Sequence, residues 1–119
     1  MDKAILKKPT KIAFKSLNDP NNGNMSHRRR SNVAEDTSAV FVEELKLGEQ
    51  FSLALTNKGT VYSWGLNDKG QLGLGNETST LDPQPITSIG KPVIKIDCGL
   101  KHCLALTKDY VLYVWGSNL

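Results

Sequence analysis

An all-β fold of antiparallel blades, a partial β-propeller of one to two blades behind a disordered N-terminal tail, is what the sequence predicts. Three observations carry the prediction: an ungapped internal repeat, strand-like alternation inside both copies, and a change of composition near residue 38. With 119 residues the chain is at most one small domain.

Residues 42 to 68, laid on residues 93 to 119, match at Val42/Val93, Gly48/Gly99, Leu53/Leu104, Ala54/Ala105, Leu55/Leu106 and Thr56/Thr107. The matches continue at Tyr62/Tyr113, Trp64/Trp115, Gly65/Gly116 and Asn67/Asn118, and so include both tryptophans of the chain. A period near 50 residues with strand content marks propeller blades. The first repeat is taken as 42–92 and the second as 93–119, within a repeat domain at 39–119.

Within the repeats, Phe51-Ser52-Leu53-Ala54-Leu55 and His102-Cys103-Leu104-Ala105-Leu106 alternate large and small residues with period two, so each strand can be packed on both faces. Val61-Tyr62-Ser63-Trp64 and Leu112-Tyr113-Val114-Trp115 form the next strands, with Tyr and Trp sharing a face. Asn57-Lys58-Gly59 joins the first pair as a hairpin in which glycine takes the left-handed position. The second copy has Lys108-Asp109-Tyr110 there and must turn without glycine. A further strand is expected at Val93-Ile94-Lys95-Ile96, entered through Pro92.

Residues 1–38 differ in kind. They carry eight Lys or Arg against four Asp or Glu, a balance of +4, which leaves −1 for residues 39–119 of the net +3. From Asn18 to Ser38 almost nothing is apolar, and such a stretch cannot bury enough surface to offset its conformational entropy. The segment is expected to be a basic, largely disordered tail, although Ile5, Leu6, Ile12, Ala13 and Phe14 could form a short strand or docking segment. Arg28, Arg29 and Arg30 are candidate contacts for nucleic-acid phosphate or an import receptor, or simply a solvated patch. An adjacent Ser31 offers a basophilic kinase a site.

The longest apolar run, Ala39-Val40-Phe41-Val42, is far short of a bilayer span, and residues 1–14 lack a signal-peptide core. No membrane partner is expected. Two cysteines, Cys98 and Cys103, assigned to one strand, cannot make a disulfide scaffold and point to a reducing compartment, cytoplasmic or nuclear.

Chemistry-bearing patterns are few. Gly65 to Gly75 is glycine-rich but lacks the Lys-Ser/Thr of a phosphate loop, so Gly65, Gly70, Gly73 and Gly75 are assigned to tight turns and close backbone approach. Cys98, His102 and Cys103 on one strand could not converge on a metal. No serine, histidine and carboxylate or paired carboxylates are spaced for catalysis, so no catalytic residue, metal or cofactor is assigned.

The string from Gly48 through Phe51-Ser-Leu-Ala-Leu-Thr-Asn-Lys-Gly-Thr-Val-Tyr-Ser-Trp-Gly-Leu-Asn to Gly-Gln-Leu-Gly-Leu-Gly75 resembles the repeat of the regulator of chromosome condensation family. So does Cys98-Gly-x-x-His102-Cys-Leu-Ala-Leu-Thr with Tyr113-x-Trp115-Gly-x-Asn118. The resemblance implies four-stranded blades in a seven-bladed propeller, of which about one and a half repeats are present. In that pattern Gly48, Gly99 and His102 recur as blade geometry, with Phe51 at the histidine position, and Trp64, Trp115 and Gly116 are packing residues.

The implied function is a protein-interaction module within a larger regulatory protein. The alternative is a guanine-nucleotide exchange factor for a Ran-type small GTPase at chromatin, reached in part through the tail. Cut from its neighbours, such a fragment is expected to be marginal or aggregation-prone because sheet surface stays open. A high, cooperative melting transition of a monomer would contradict that expectation.

Overall fold

The computed structural model describes residues 5–11 and 39–117. Eight strands occur among them: β1 (Ile5–Lys11), β2 (Val42–Leu47), β3 (Phe51–Thr56), β4 (Val61–Gly65), β5 (Thr80–Pro85), β6 (Val93–Cys98), β7 (His102–Thr107) and β8 (Leu112–Ser117). They form two four-stranded antiparallel sheets, ordered β2-β3-β4-β5 and β1-β8-β7-β6. Among the described residues no helix is long and apolar enough to cross a membrane.

The repeat becomes two superposable hairpins. Leu53 pairs with Ser63 and Leu104 with Val114, while Ala54 pairs with Tyr62 and Ala105 with Tyr113. Each innermost strand also carries a bulge at the same place, between Val42 and Glu44 and between Val93 and Lys95. Gly59 takes the left-handed conformation in the first hairpin, at φ 84°, and Tyr110 takes it in the second, at φ 63°. The turn without glycine is thus made by a tyrosine in a region that non-glycine residues seldom occupy.

Period-two alternation gives each blade two unlike faces. One carries Phe51, Leu53, Leu55, Val61 and Ser63 in the first blade, and His102, Leu104, Leu106, Leu112 and Val114 at the matching places in the second. We call this the leucine face. The other, the tryptophan face, carries Ser52, Ala54, Tyr62 and Trp64 in the first blade and Cys103, Ala105, Tyr113 and Trp115 in the second. The leucine face of the first blade packs on the tryptophan face of the second, and one continuous core results, running from Phe51, Leu53 and Leu55 to Ile96, Cys103, Ala105 and Trp115.

The short strand that Ile5 and Leu6 offer is β1, but its place departs from expectation: residues 5–11, grouped by composition with the tail, are the fourth strand of the second blade, and the rest of the tail lies outside the described residues. β1 repeats the register of β5: Leu6 pairs with Gly116 as Thr80 does with Gly65, Thr10 with Val114 as Gln84 with Ser63, and Lys11 with Tyr113 as Pro85 with Tyr62. Pro9 and Pro83 fall at the same step. β1 is also tied to the first blade, because the Gly75 amide donates to the Lys7 carbonyl at 2.8 Å and the Lys7 ammonium lies 3.5 Å from Glu77. The outer edges are therefore blunted by Pro9, Pro83 and Pro85 and by the lysines of β1, which disfavours edge-to-edge growth.

Removing residues 1–11 should strip the outer edge of β8. The expected result is loss of amide-exchange protection across residues 112–117 and destabilisation on the order of 2 kcal/mol or more, read from denaturant unfolding of the truncated and full chains.

Candidate functional site

The joint between the blades is built by the loop that follows β4. Asn67, fully buried, organises it: its Nδ2 donates to the carbonyls of Asn76 and Thr78 and to the Asn76 side chain at 3.0–3.1 Å, and its Oδ1 accepts from the Leu72 amide at 3.0 Å. The Gln71 side chain accepts from the Lys69 amide and donates to Asp68. So held, the loop turns Leu72 onto the leucine face of its own blade, where the Ser63 hydroxyl donates to the Leu72 carbonyl at 2.8 Å.

The loop's other side receives the second blade. The Trp115 indole N–H donates to the Gln71 carbonyl at 2.9 Å, and the Cys103 thiol donates to the same oxygen at 3.3 Å. Both residues are almost completely buried, so this carbonyl satisfies the only polar atom of the indole. Gly73 lies against that ring at φ 68°, and a Cβ there would stand 2.8 Å from the indole nitrogen. Gly70 meets the backbone of Lys7 in β1, whereas nothing lies within 4 Å of a Cβ at Gly75. The loop amides of Gly70, Gly73 and Gly75 are bonded to Asn67, Gly70 and Lys7 carbonyls. They do not form an anion cradle.

The sequence-assigned glycines fall into pairs. A Cβ on Gly48 would enter the Phe51 ring and one on Gly99 would enter the His102 ring, so each glycine makes room for an aromatic ring three residues on. That packing explains why Phe51 can stand where the second copy has His102. Gly65 and Gly116 (φ 114° and 102°) sit against the backbone of residues 50–51 and 101–102. Trp64, the counterpart of Trp115, has no such loop against it among the described residues and stays partly exposed. Arg28, Arg29 and Arg30 lie outside the described residues.

Cys98 and Cys103 are not on one strand. Cys98 ends β6 and Cys103 is the second residue of β7, so they face each other across the hairpin as free thiols, while His102 points to the opposite face. Among the described residues no three His, Cys, Asp or Glu side chains are grouped to hold a metal. Burial raises the Cys103 thiol well above its ordinary value of 9.0, with Cys98 adding to the shift. Cys98 is raised by burial and then by Asp97, with Lys46 opposing. Asp109 is lowered by the hydrogen bond from the Thr107 hydroxyl and then by Lys91.

Electrostatic ties at the joint are peripheral. Glu44 accepts from the Ile96 amide at 3.0 Å and lies 3.8 Å from the Lys95 ammonium, and Glu49 pairs with Lys101 at 3.2 Å. Being partly exposed, such pairs contribute little beyond orientation.

What stays open is apolar. On the tryptophan face and inner edge of the first blade Val42 is 55% and Leu45 56% exposed, whereas their second-copy equivalents, Val93 and Ile96, are 4% and 1% exposed. Phe41 and Leu47 extend that patch. On the leucine face of the second blade, Leu6, His102, Leu104, Val114 and Gly116 line an open pocket of about 270 Å³. The equivalent niche in the first blade is filled by Leu72.

Family models described as regulator of chromosome condensation (RCC1) repeat match residues 42–71 and 58–106, together over half of the chain. The chain belongs to the RCC1-repeat family. It is 46% identical over 87 residues to the human E3 ubiquitin-protein ligase HERC2, covering 72% of this chain and 2% of the relative. It is 33% identical over 110 residues to the human probable E3 ubiquitin-protein ligase HERC6, and 40% identical over 78 residues to the ultraviolet-B receptor UVR8 of Arabidopsis thaliana. Those alignments cover 87% and 65% of this chain but 11% and 18% of the relatives. Among solved structures, human WBSCR16 aligns with a TM-score of 0.61 at 35% identity, over 75% of this chain and 23% of that one. The structure of Kap60 bound to yeast RCC1 (Prp20) aligns at 0.57 and 36% identity, over 69% and 18%. The blades described here are thus an RCC1-type propeller segment spanning a small part of each relative.

Trp115→Ala should cost about 3–5 kcal/mol, and Trp64→Ala clearly less, because only the former empties a closed interblade site. Equilibrium unfolding of the two variants checks this. His102→Phe should stay within about 1.5 kcal/mol of the parent, as the first repeat already uses that pair.

The thiols should differ in reactivity. Below about pH 9, iodoacetamide should label Cys98 in the folded RCC1-type segment roughly tenfold faster or more than Cys103, by peptide mass spectrometry. A raised thiol value favours folding below the unfolded value, and this contribution is lost as pH rises through the folded one.

Proposed function

We propose that this RCC1-repeat segment is a protein-interaction module whose binding surfaces are the open blade faces. The observation that carries the proposal is the apolar patch of Phe41, Val42, Leu45 and Leu47, each more than half exposed, in which Val42 and Leu45 stand where the second repeat buries Val93 and Ile96. Exposed apolar surface of this kind marks protein contact rather than chemistry. The relatives support the same reading: E3 ligases and an ultraviolet-B receptor share these repeats while differing in activity. Yeast RCC1 is itself seen bound to another protein, Kap60.

Exchange on a Ran-type GTPase is the second function that the family name brings to mind. No described residue here favours it over docking, and the named relatives are not exchange factors by their descriptions. Action in the cytoplasm or nucleus is part of the proposal, supported by the free thiols of Cys98 and Cys103. Tail contact with chromatin would act through Arg28, Arg29 and Arg30.

The test is cross-linking of the full chain in cells, with crosslinked peptides mapped by mass spectrometry. Crosslinks from protein partners should concentrate around residues 41–47 and fall at least about tenfold in Leu45→Glu. Partners held equally by that variant would overturn the docking reading. Accelerated release of labelled GDP from a Ran-type GTPase by the chain would establish exchange instead.

A further inference from the structure

We propose that Cys98 and Cys103 form a reversible thiol–disulfide site: glutathione disulfide oxidises the facing pair to a cystine across the β6–β7 hairpin, and reduced glutathione opens it again.

Strand register brings the two sulfurs together. Cys98 and Cys103 are direct partners in the β6–β7 ladder, and the hydrogen bond from the Gly99 amide to the His102 carbonyl beside them makes theirs the non-hydrogen-bonded kind of pair. In such a pair both side chains leave the same face and the α-carbons stand about 4.5 Å apart, within the span that a disulfide bridges. Blade geometry does not call for sulfur at either place. The first repeat sets Leu47 opposite Ser52 there, in the same register.

The two thiols are unequal, which gives the reaction an order. Cys98 is only partly buried and packs at the margin of the core, beside Lys46 of β2, whereas Cys103 is completely buried in the joint. Cys98 therefore meets the small disulfide first. Its thiolate attacks one sulfur of glutathione disulfide, which forms a mixed disulfide and releases one glutathione thiolate. The Cys103 thiolate then attacks the Cys98 sulfur, closes the Cys98–Cys103 bond and releases the second glutathione thiolate. The two cysteine protons end on the two released thiolates, and two electrons pass from the pair to the glutathione. Burial, which raises both thiols, limits the rate of this exchange, while the enforced proximity of the sulfurs sets its equilibrium.

The consequence falls on the blade joint. The Cys103 thiol and the Trp115 indole both donate to the Gln71 carbonyl, at 3.3 Å and 2.9 Å. A cystine sulfur carries no proton, so oxidation leaves that oxygen to the indole alone. The same bond fixes β6 to β7 covalently. Redox state thus reaches the loop from Asn67 to Gly75 through one carbonyl group.

Equilibration of the full chain at about pH 8 in graded mixtures of glutathione and glutathione disulfide, followed by acid quenching and peptide mass spectrometry, tests the proposal. Trypsin cleaves after Lys101 and so separates the cysteines, and the cystine joins peptides 96–101 and 102–108. The native chain should form this bond within one molecule at a glutathione disulfide concentration at least about tenfold lower than the chain in denaturing urea, since folding holds the thiols opposed. Cys103→Ser should stop at the mixed disulfide of Cys98, and Cys98→Leu should leave Cys103 unreacted. Both variants install the residue that the first repeat already folds with. In the oxidised chain amide exchange across residues 67–75 should quicken at least about threefold, and reduction should restore it.

Thiols that stay reduced throughout, two separate glutathione adducts, disulfides only between chains, or a bond that forms as readily in urea would each overturn the site. A cystine that forms in the native chain but leaves exchange across residues 67–75 unchanged would retain the modification and overturn its link to the joint.

Discussion

One carbonyl group governs how the two blades meet. A tryptophan gains most by complete burial, but its N–H must keep an acceptor, and the Gln71 carbonyl supplies one from the neighbouring blade. That requirement fixes the loop. The carbonyl is aimed inward only because Asn67 holds the turn from within, and the ring fits only because Gly73 has no side chain. Polar satisfaction and close packing thus select the same residues, and disturbing either moves the other.

The second blade depends on a strand that arrives from the opposite end of the sequence. β8 would otherwise end the sheet with a long open edge beside the joint. β1 covers it in the register that β5 uses in the first blade, and Pro9 prevents a further strand from adding at that step. Because β1 also accepts the Gly75 amide, the terminal segment ties the second blade's outer edge to the loop that organises the joint. This non-local closure makes the four-stranded blade a cooperative unit rather than a row of hairpins.

The hairpins were legible because their signals are local. Period-two alternation in Phe51–Leu55 and His102–Leu106, and the Tyr-x-Trp that follows each, report a sheet packed on both sides, and the structure puts strands there. β5 and β1 were not legible in that way. Thr80–Pro85 has proline at two of six positions and mostly exposed side chains, so neither propensity nor alternation marks it as a strand. It is a strand because an outer edge needs pairing on one side only. β1 was masked by its three lysines, which suit an edge but resemble a tail. A signal did exist: Pro9-x-x-Ile12 matches Pro83-x-x-Ile86 at the spacing the register shares. The roles of Asn67, visible in the sequence only as a repeat match to Asn118, and of Gln71 were not legible either, since a buried amide in a polar loop looks like any loop residue until its partners are known.

The unequal faces have a consequence for how the repeat tolerates change. Ala54 and Ala105 stand at the same place in both copies, and Ala105 must leave space there for Leu53 and Leu55 of the adjoining blade. A larger residue at Ala105 overfills a joint whose other side, Leu53 and Leu55, is already completely buried. Ala54 is buried too, at 5% exposed, but lies outside the core cluster that Ala105 joins. The same enlargement therefore strains the fold at both positions, and acts through the blade joint only at Ala105.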